Sequence, residues 1–78
     1  MRERKLWLIV SFATTTQALA MEAAASEDGI AGRIIPLPQQ ISAGCGLAWK
    51  HEISGKEALI GWLTGRGLQW EAMHEVLL

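Results

Sequence analysis

The sequence of 78 residues contains a single cysteine, Cys45, only two prolines, and no tyrosine. One cysteine excludes an internal disulfide, and the two histidines, His51 and His74, lack the spacing of a structural zinc site. A chain of this length is near the size at which one core supplies only about 3–5 kcal/mol without such cross-links. We therefore expect no metal and no cofactor, and folding that relies on apolar packing.

A dominant charge and long hydrophobic runs are also missing. The formal net charge is −1, and the basic residues Arg33, Lys50, Lys56 and Arg66 are scattered, whereas nucleic-acid-binding proteins usually carry a basic patch. No run approaches the roughly 18 apolar residues of a membrane span. The glycines of residues 29–32 follow a predicted helix and precede a strand, the reverse of a nucleotide-binding loop. We expect neither nucleic-acid binding nor membrane insertion.

Apolar residues, by contrast, are plentiful. They make up half of the chain, and four of them are tryptophans. Soluble monomers seldom expose broad apolar patches. Because so small a body has little interior, part of this apolar surface is expected to end in an interface.

The hydrophobic patterns predict four strands and two helices. Lys5 to Phe12 is short and rich in large and β-branched residues, which indicates a strand buried on both faces. The threonines at 14–16 can cap the helix that follows, and residues 26–29 (SEDG) end it. The remaining predicted elements are helices over 18–25 and 56–64 and strands over 30–36, 47–52 and 68–76.

This β-α-β-β-α-β order is the ferredoxin-like split βαβ arrangement of the α+β class. With right-handed crossovers, strands one and three lie in the middle of a four-stranded antiparallel sheet whose two helices cover one face. Alternation along strand one places Leu8 and Val10 on one face and Trp7 and Ile9 on the other, open face. A homodimer through the open face would cover it, and coverage of Trp7 by the chain's own tails is the alternative.

The first 20 residues have the outline of a secretory signal, with a basic start, an apolar run and small residues up to Ala20. The apolar run is short, Glu3 dilutes the positive charge, and cleavage after Ala20 would delete the best predicted strand. Export with Met1 to Ala20 as a signal peptide is therefore the minor alternative to a cytoplasmic location.

Cys45 lies in the most unusual segment, Ser42-Ala43-Gly44-Cys45-Gly46, between a proline-containing loop and a strand. Glycines on both sides leave the sulfur unscreened and allow backbone N–H groups to turn toward it, which can favour a thiolate. Cys45 is therefore a candidate reactive thiol. The alternative is a packed structural cysteine, since free cysteines are among the most buried residues.

Several stretches resemble a known family: residues 8–12 with the threonine-rich turn, residues 33–38, and above all residues 41–48 (ISAGCGLA). They are similar to a small single-domain family of unknown function described as Se/S carrier-like. The resemblance covers most of the chain, so we expect residues 1–78 to form one such domain, and it makes strand one part of the fold rather than a signal peptide. It implies a cytoplasmic bacterial protein whose Cys45 holds a persulfide or selenide, with sulfur or selenium donor and acceptor proteins as partners. Trp49 departs from the family pattern, in which a smaller or basic residue is expected, and so puts charge-based docking at that strand in doubt.

A carrier of this kind needs only a thiolate that attacks a donor persulfide and then presents the terminal sulfur to an acceptor. Gly44 and Gly46 would admit the donor, Ser42 could donate a hydrogen bond to the sulfur, and Pro36 and Pro38 would limit loop motion. The lack of a second cysteine suggests that sulfur is passed to another molecule.

Two functions stay open from the sequence. One is the carrier; the other is a small interaction or regulatory module that binds through the face of Trp7 and has a structural cysteine. Lys50 and His51 follow Cys45 by five and six residues, about 17 Å along a strand, too far for an ion pair with the thiolate. An enzyme with its own turnover is disfavoured because spacing places no general base near the thiol.

Overall fold

The computed structural model describes residues 3–42 and 44–78. Met1 and Arg2, at the start of the signal-like stretch, and Ala43 of the cysteine loop lie outside the described residues. The elements, in chain order, are β1 (Leu6–Ser11), α1 (Thr15–Asp28), β2 (Arg33–Pro36), β3 (Leu47–Glu52), a 3₁₀ turn (Ile53–Gly55), α2 (Lys56–Gly65) and β4 (Ala72–Leu77).

The four strands form one antiparallel sheet in the order β2-β3-β1-β4. The predicted α+β fold with β1 and β3 in the centre is confirmed, and the order is consistent with a ferredoxin-like arrangement. β1 begins at residue 6, so loss of residues 1–20 would remove a central strand and part of α1. Neither helix within the described residues is long and apolar enough to cross a membrane.

One face of the sheet packs against both helices. Met21 of α1 and Leu63 of α2 are fully buried there against Leu8 and Val10 of β1. Trp49 of β3 joins this core with only 2% of its surface exposed. The family departure at Trp49 is therefore a core substitution, and its indole is not part of a docking surface.

The opposite face is not open, as the sequence suggested, because the chain covers part of it. Ile9 and Ala48 are fully buried on this face, and Ile41, from the loop between β2 and β3, lies over them with 8% of its surface exposed. Burial of an isoleucine side chain typically stabilises a fold by about 1.5–3 kcal/mol. Trp7 packs at the border of this cluster and stays half-buried.

The starts of α1, β2 and β4 differ from the prediction because the residues next to a helix end form hydrogen bonds with that end. α1 begins earlier since the Thr14 hydroxyl caps it by accepting a hydrogen bond from the Gln17 N–H (3.2 Å). β2 begins only at Arg33, because the N–H of Ile30 donates to the end of α1. β4 begins only at Ala72; the N–H of residue 68 donates to Leu63 O at the end of α2 (3.0 Å). α1 also continues past the predicted residue 25 to Asp28, and Gly29, the last residue of the segment predicted to end it, is the C-cap with a left-handed φ of +68°.

Candidate functional site

Cys45 lies in the loop that joins β2 to β3. The loop is closed at its base by a hydrogen bond from the Leu37 N–H to the Gly46 carbonyl (2.9 Å). Within the loop, the N–H of Ile41 donates to the carbonyl of Pro38 (3.0 Å), which forms a tight turn. Because the same turn buries the Ile41 side chain on the sheet, the loop is attached to the fold at its base and at its tip.

The two glycines beside the thiol meet different local requirements. Gly46 has φ of +75°, a left-handed conformation that other residues adopt only with strain. Gly44 has no room for a side chain, since a Cβ there would lie 2.8 Å from the carbonyl oxygen of Ala13. Ala13 immediately precedes Thr14, the cap of α1. Cys45 therefore lies at the end of the molecule where α1 begins.

The Cys45 thiol is half-buried and packs against the core shared with the helices. Its Sγ–H donates a weak hydrogen bond to the Leu47 carbonyl, with 3.7 Å between sulfur and oxygen. Ser42 is exposed, and its expected hydrogen bond to the sulfur stays a prediction. Of the two loop prolines, Pro36 ends β2 on the surface and Pro38 is half-buried.

No charged residue and no histidine occurs in three segments of the sequence: residues 12–21, 34–49 and 67–70. The fold brings these segments together around Cys45. Gly44 packs against Ala13, and the Gln17 side-chain amide donates to the Gln69 side chain (3.3 Å). We call this region, residues 12–17, 36–42, 44–46 and 67–70, the uncharged end. These segments therefore supply no charged side chain to the surroundings of Cys45.

His51 lies at the other end of β3, on the face that packs against the helices. Its Nδ1 accepts a hydrogen bond from the Trp49 indole N–H (3.2 Å), and burial lowers the pKa of His51. β1 lies between His51 and His74, and the two histidines pair with Leu8 and Ile9, so they point to opposite faces. Among residues 3–42 and 44–78, no group of three metal-binding side chains is close enough to hold an ion.

One polar pair was missed in the sequence. Ser11 is fully buried, and its hydroxyl lies 3.2 Å from His74 Nε2 and 3.3 Å from the Ala72 carbonyl oxygen. The only signal was a serine at the end of an otherwise apolar strand. Because both hydroxyl contacts are made inside the sheet, the pair satisfies a buried polar group.

A half-buried thiol on an anchored loop of an α+β sheet defines a small thiol-bearing domain. Comparison with protein families then identifies it further, since the family described as "Putative Se/S carrier protein-like" matches residues 8–75. The chain belongs to this family, and the resemblance seen in the sequence is confirmed. No curated protein and no solved structure matches the chain. The family description supports a carrier-like role, with donor and acceptor proteins as partners in general.

Proposed function

We propose that residues 1–78 act as one carrier domain that holds sulfur or selenium on Cys45, as a persulfide or its selenium counterpart. The observation that supports this most is the position of the thiol. Cys45 is the only cysteine of a carrier-like family member, and it lies between two exposed glycines on a loop held in place at both ends.

In the loading step, the Cys45 thiolate attacks the outer sulfur of a donor persulfide, R–S–SH. The new S–S bond to Cys45 forms as the donor's own S–S bond breaks, and the electron pair leaves with the donor as its thiolate, R–S⁻. The proton stays with the transferred sulfur, so Cys45 becomes Cys45–S–SH. In the unloading step, an acceptor nucleophile attacks the terminal sulfur and releases the Cys45 thiolate. Neither step needs an external oxidant or reductant.

The hydrogen bond to Leu47 sets a requirement for this reaction. A thiolate cannot donate to the carbonyl oxygen, so the sulfur must turn away from Leu47 before it attacks. Gly44 and Gly46 are both exposed and leave room for that rotation and for the approaching donor. Ser42 is the proposed donor of a hydrogen bond to the thiolate, while Pro36 and Pro38 restrict the loop.

A free thiol carrier requires a compartment that keeps thiols reduced, so we place its function in the cytoplasm. The absence of a second cysteine means that a loaded persulfide is passed to a separate acceptor.

A homodimer through the sheet face near Trp7 would have to form beside Ile41, which already covers the centre of that face. Light scattering over a range of concentrations tests the dimer.

The direct test is intact-mass analysis after incubation with glutathione persulfide. We expect a mass gain of one sulfur atom that reducing agent removes, and no gain in the Cys45→Ser variant. Iodoacetamide should alkylate Cys45 in the folded protein at a rate close to that in the urea-unfolded protein. A thiol that gains no sulfur and is alkylated only after unfolding would refute the carrier function.

Gly44→Ala supplies a second variant that keeps the thiol. The added methyl group would lie 2.8 Å from Ala13 O, so the loop must move. We expect slower sulfur loading with Cys45 still present. Unchanged loading in Gly44→Ala would mean that the position of the loop does not matter for transfer.

The second candidate is an interaction module with a structural cysteine. It is favoured by one observation, the packing of Cys45 against the core with its thiol donating to Leu47. Under this function, Cys45→Ser costs about 1 kcal/mol of stability and leaves partner binding intact. Urea unfolding and the mass assay on the same variant separate the two functions.

A further inference from the structure

β4 forms one edge of the sheet, and its outer side carries free backbone groups. Lys5 and Leu78 exchange both of their backbone hydrogen bonds, at 3.1 and 3.0 Å. Hydrogen-bonded pairs alternate with non-hydrogen-bonded pairs along an antiparallel ladder, so the N–H and C=O groups of residues 73, 75 and 77 point away from β1. Within the described part of the chain, no hydrogen bond reaches these outward groups. They form a row of donors and acceptors with which a further strand could pair.

The two edges of the sheet differ in how they are protected. β2, the other edge, has only four residues and contains Arg33 and Pro36. Natural proteins block edge strands with short length, positive charge and proline. β4 has six residues and contains no proline, lysine or arginine. The sequence therefore leaves this edge open to strand pairing, and Leu77 there keeps 53% of its surface exposed.

A second copy of β4 matches this edge. Two edge strands related by a two-fold axis pair antiparallel, and the same outward groups then serve both copies. Because only residues 73, 75 and 77 present outward groups, the hydrogen-bonded pairs must form among these three. The longest overlap of β4 with itself therefore covers either residues 72–76, centred on His74, or residues 73–77, centred on Glu75.

Charge distinguishes these two registers. An axis at Glu75 places the two Glu75 side chains directly opposite each other, and like charges in that position destabilise a sheet. Lys56 Nζ lies 3.8 Å from the Glu75 carboxylate, but exposed ion pairs are weak and do not remove this repulsion. An axis at His74 places Met73 opposite the partner's Glu75 and brings no two carboxylates together. The register centred on His74 is therefore the favoured one.

We propose that the protein forms a homodimer in which β4 pairs antiparallel with β4 of a second copy, centred on His74. Met73 and Glu75 of each copy form the hydrogen-bonded pairs, and the two sheets become one continuous sheet. This dimer uses the edge of the sheet and not the face near Trp7. The inference is independent of the carrier function, because none of the pairing residues belongs to the cysteine loop.

Cysteine cross-linking tests the register. In a Cys45→Ser background, His74→Cys places two thiols across the axis in a non-hydrogen-bonded pair, whose Cα atoms lie about 4.5 Å apart, within the range of a disulfide. Glu75→Cys is the matched variant, because its two Cα atoms would be more than about 7 Å apart. On oxidation with diamide, we expect a covalent dimer from His74→Cys and little from Glu75→Cys. Equal yields, a dimer from Glu75→Cys alone, or no dimer from either variant would overturn the proposal.

Sedimentation analysis tests the dimer without a cross-link. We expect the unsubstituted protein to dimerise as its concentration rises. Glu75→Pro removes an outward N–H that makes no bond within its own sheet, so the variant should fold and dimerise at least about tenfold more weakly. A protein that stays monomeric up to about 0.5 mM would overturn the proposal.

Glu75→Gln is the control for the proline variant. It removes the same charge and the same ion pair with Lys56, but it keeps the backbone N–H. We expect Glu75→Gln to dimerise as the unsubstituted protein does. Equal dimerisation of the Glu75→Pro and Glu75→Gln variants would show that the β4 edge is not the interface. Circular dichroism reports whether each variant is folded, and the cross-linking result stands if Glu75→Pro is not.

Discussion

The two ends of strand β3 differ sharply in chemistry. At the Leu47 end, the loop with Cys45 lies among segments without any charged residue. At the Glu52 end, Arg33, Lys50 and the Lys5–Glu52 ion pair surround a cleft. A strand of six residues separates the two regions by about 20 Å, beyond the Debye length of about 8 Å at physiological salt. The sheet thus holds the thiol and the cleft at opposite ends of one strand.

This separation has a consequence for the partners of Cys45. Charged patches steer association and make its rate depend on ionic strength. The segments of the uncharged end offer such a donor or acceptor no charged side chain, and the neighbouring charges in the sequence are Arg66 and Glu71 on either side of residues 67–70. We expect recognition at Cys45 to rest mainly on shape and on uncharged contacts.

The largest effect is expected for Gly32→Ala, which changes the lining of the cleft at the Glu52 end of β3. A Cβ at residue 32 would lie 2.5 Å from the buried Trp49 ring, and its φ of +144° is rarely adopted by other residues. Overpacking and backbone strain together should lower the free energy of unfolding by about 3 kcal/mol. Urea denaturation measures this loss.

Gly61→Ala is the control for a generic glycine replacement. Residue 61 is exposed in α2, and an added Cβ would contact nothing within 4 Å. Alanine should stabilise the helix there by about 0.5–1 kcal/mol. A Gly32→Ala variant that loses less than about 1 kcal/mol would show that Trp49 can move aside, contrary to a tightly packed core.

A smaller effect is expected in the rates at which charged thiol reagents react with a cysteine at each end of β3. Cys45 should react with cationic and anionic methanethiosulfonates in the ratio shown by a small free thiol. In a Cys45→Ser background, Ala31→Cys places a thiol on the lining of the cleft. That thiol should react severalfold faster with the anionic reagent, and salt should remove the preference. If the ratio of the anionic to the cationic reaction rate were the same at both positions and independent of salt, the proposed difference in electrostatic potential between the two ends would be contradicted.

The smallest effect is a dependence of stability on pH through His51. Burial lowers the pKa of His51 below its usual value of 6.5, so the unfolded chain binds a proton more readily than the folded one. Stability from this residue is therefore complete above about pH 6.5 and is lost as the pH falls toward the folded pKa. Urea unfolding at several pH values between about 5 and 8 measures how the free energy of unfolding changes with pH.

His51→Gln tests whether His51 causes this dependence on pH, because glutamine can still accept the hydrogen bond from Trp49 but does not titrate. We expect the free energy of unfolding to change less steeply with pH below neutrality in this variant. A slope identical to that of the unsubstituted protein would mean that other groups cause it.

Much of the fold was predictable because its signals are local. The threonine cap and the segment 26–29 mark the ends of α1, and the run of large and β-branched residues over 5–12 marks a central strand. The glycine-flanked cysteine was visible for the same reason. Strand boundaries were missed where a residue after a helix, Ile30 or Leu68, donates a backbone hydrogen bond to the end of that helix. These hydrogen bonds depend on the direction in which the chain leaves the helix.

Local patterns thus set the order of elements, the strand topology and the identity of the candidate thiol. Tertiary structure alone decided that Ile41 covers the face that seemed open, that Trp49 is buried, and that Arg33 lies opposite Lys50. These contacts join residues far apart in the chain, and their pairing depends on strand register. A shift of one residue would send every side chain of a strand to the other face, so no local pattern specifies them.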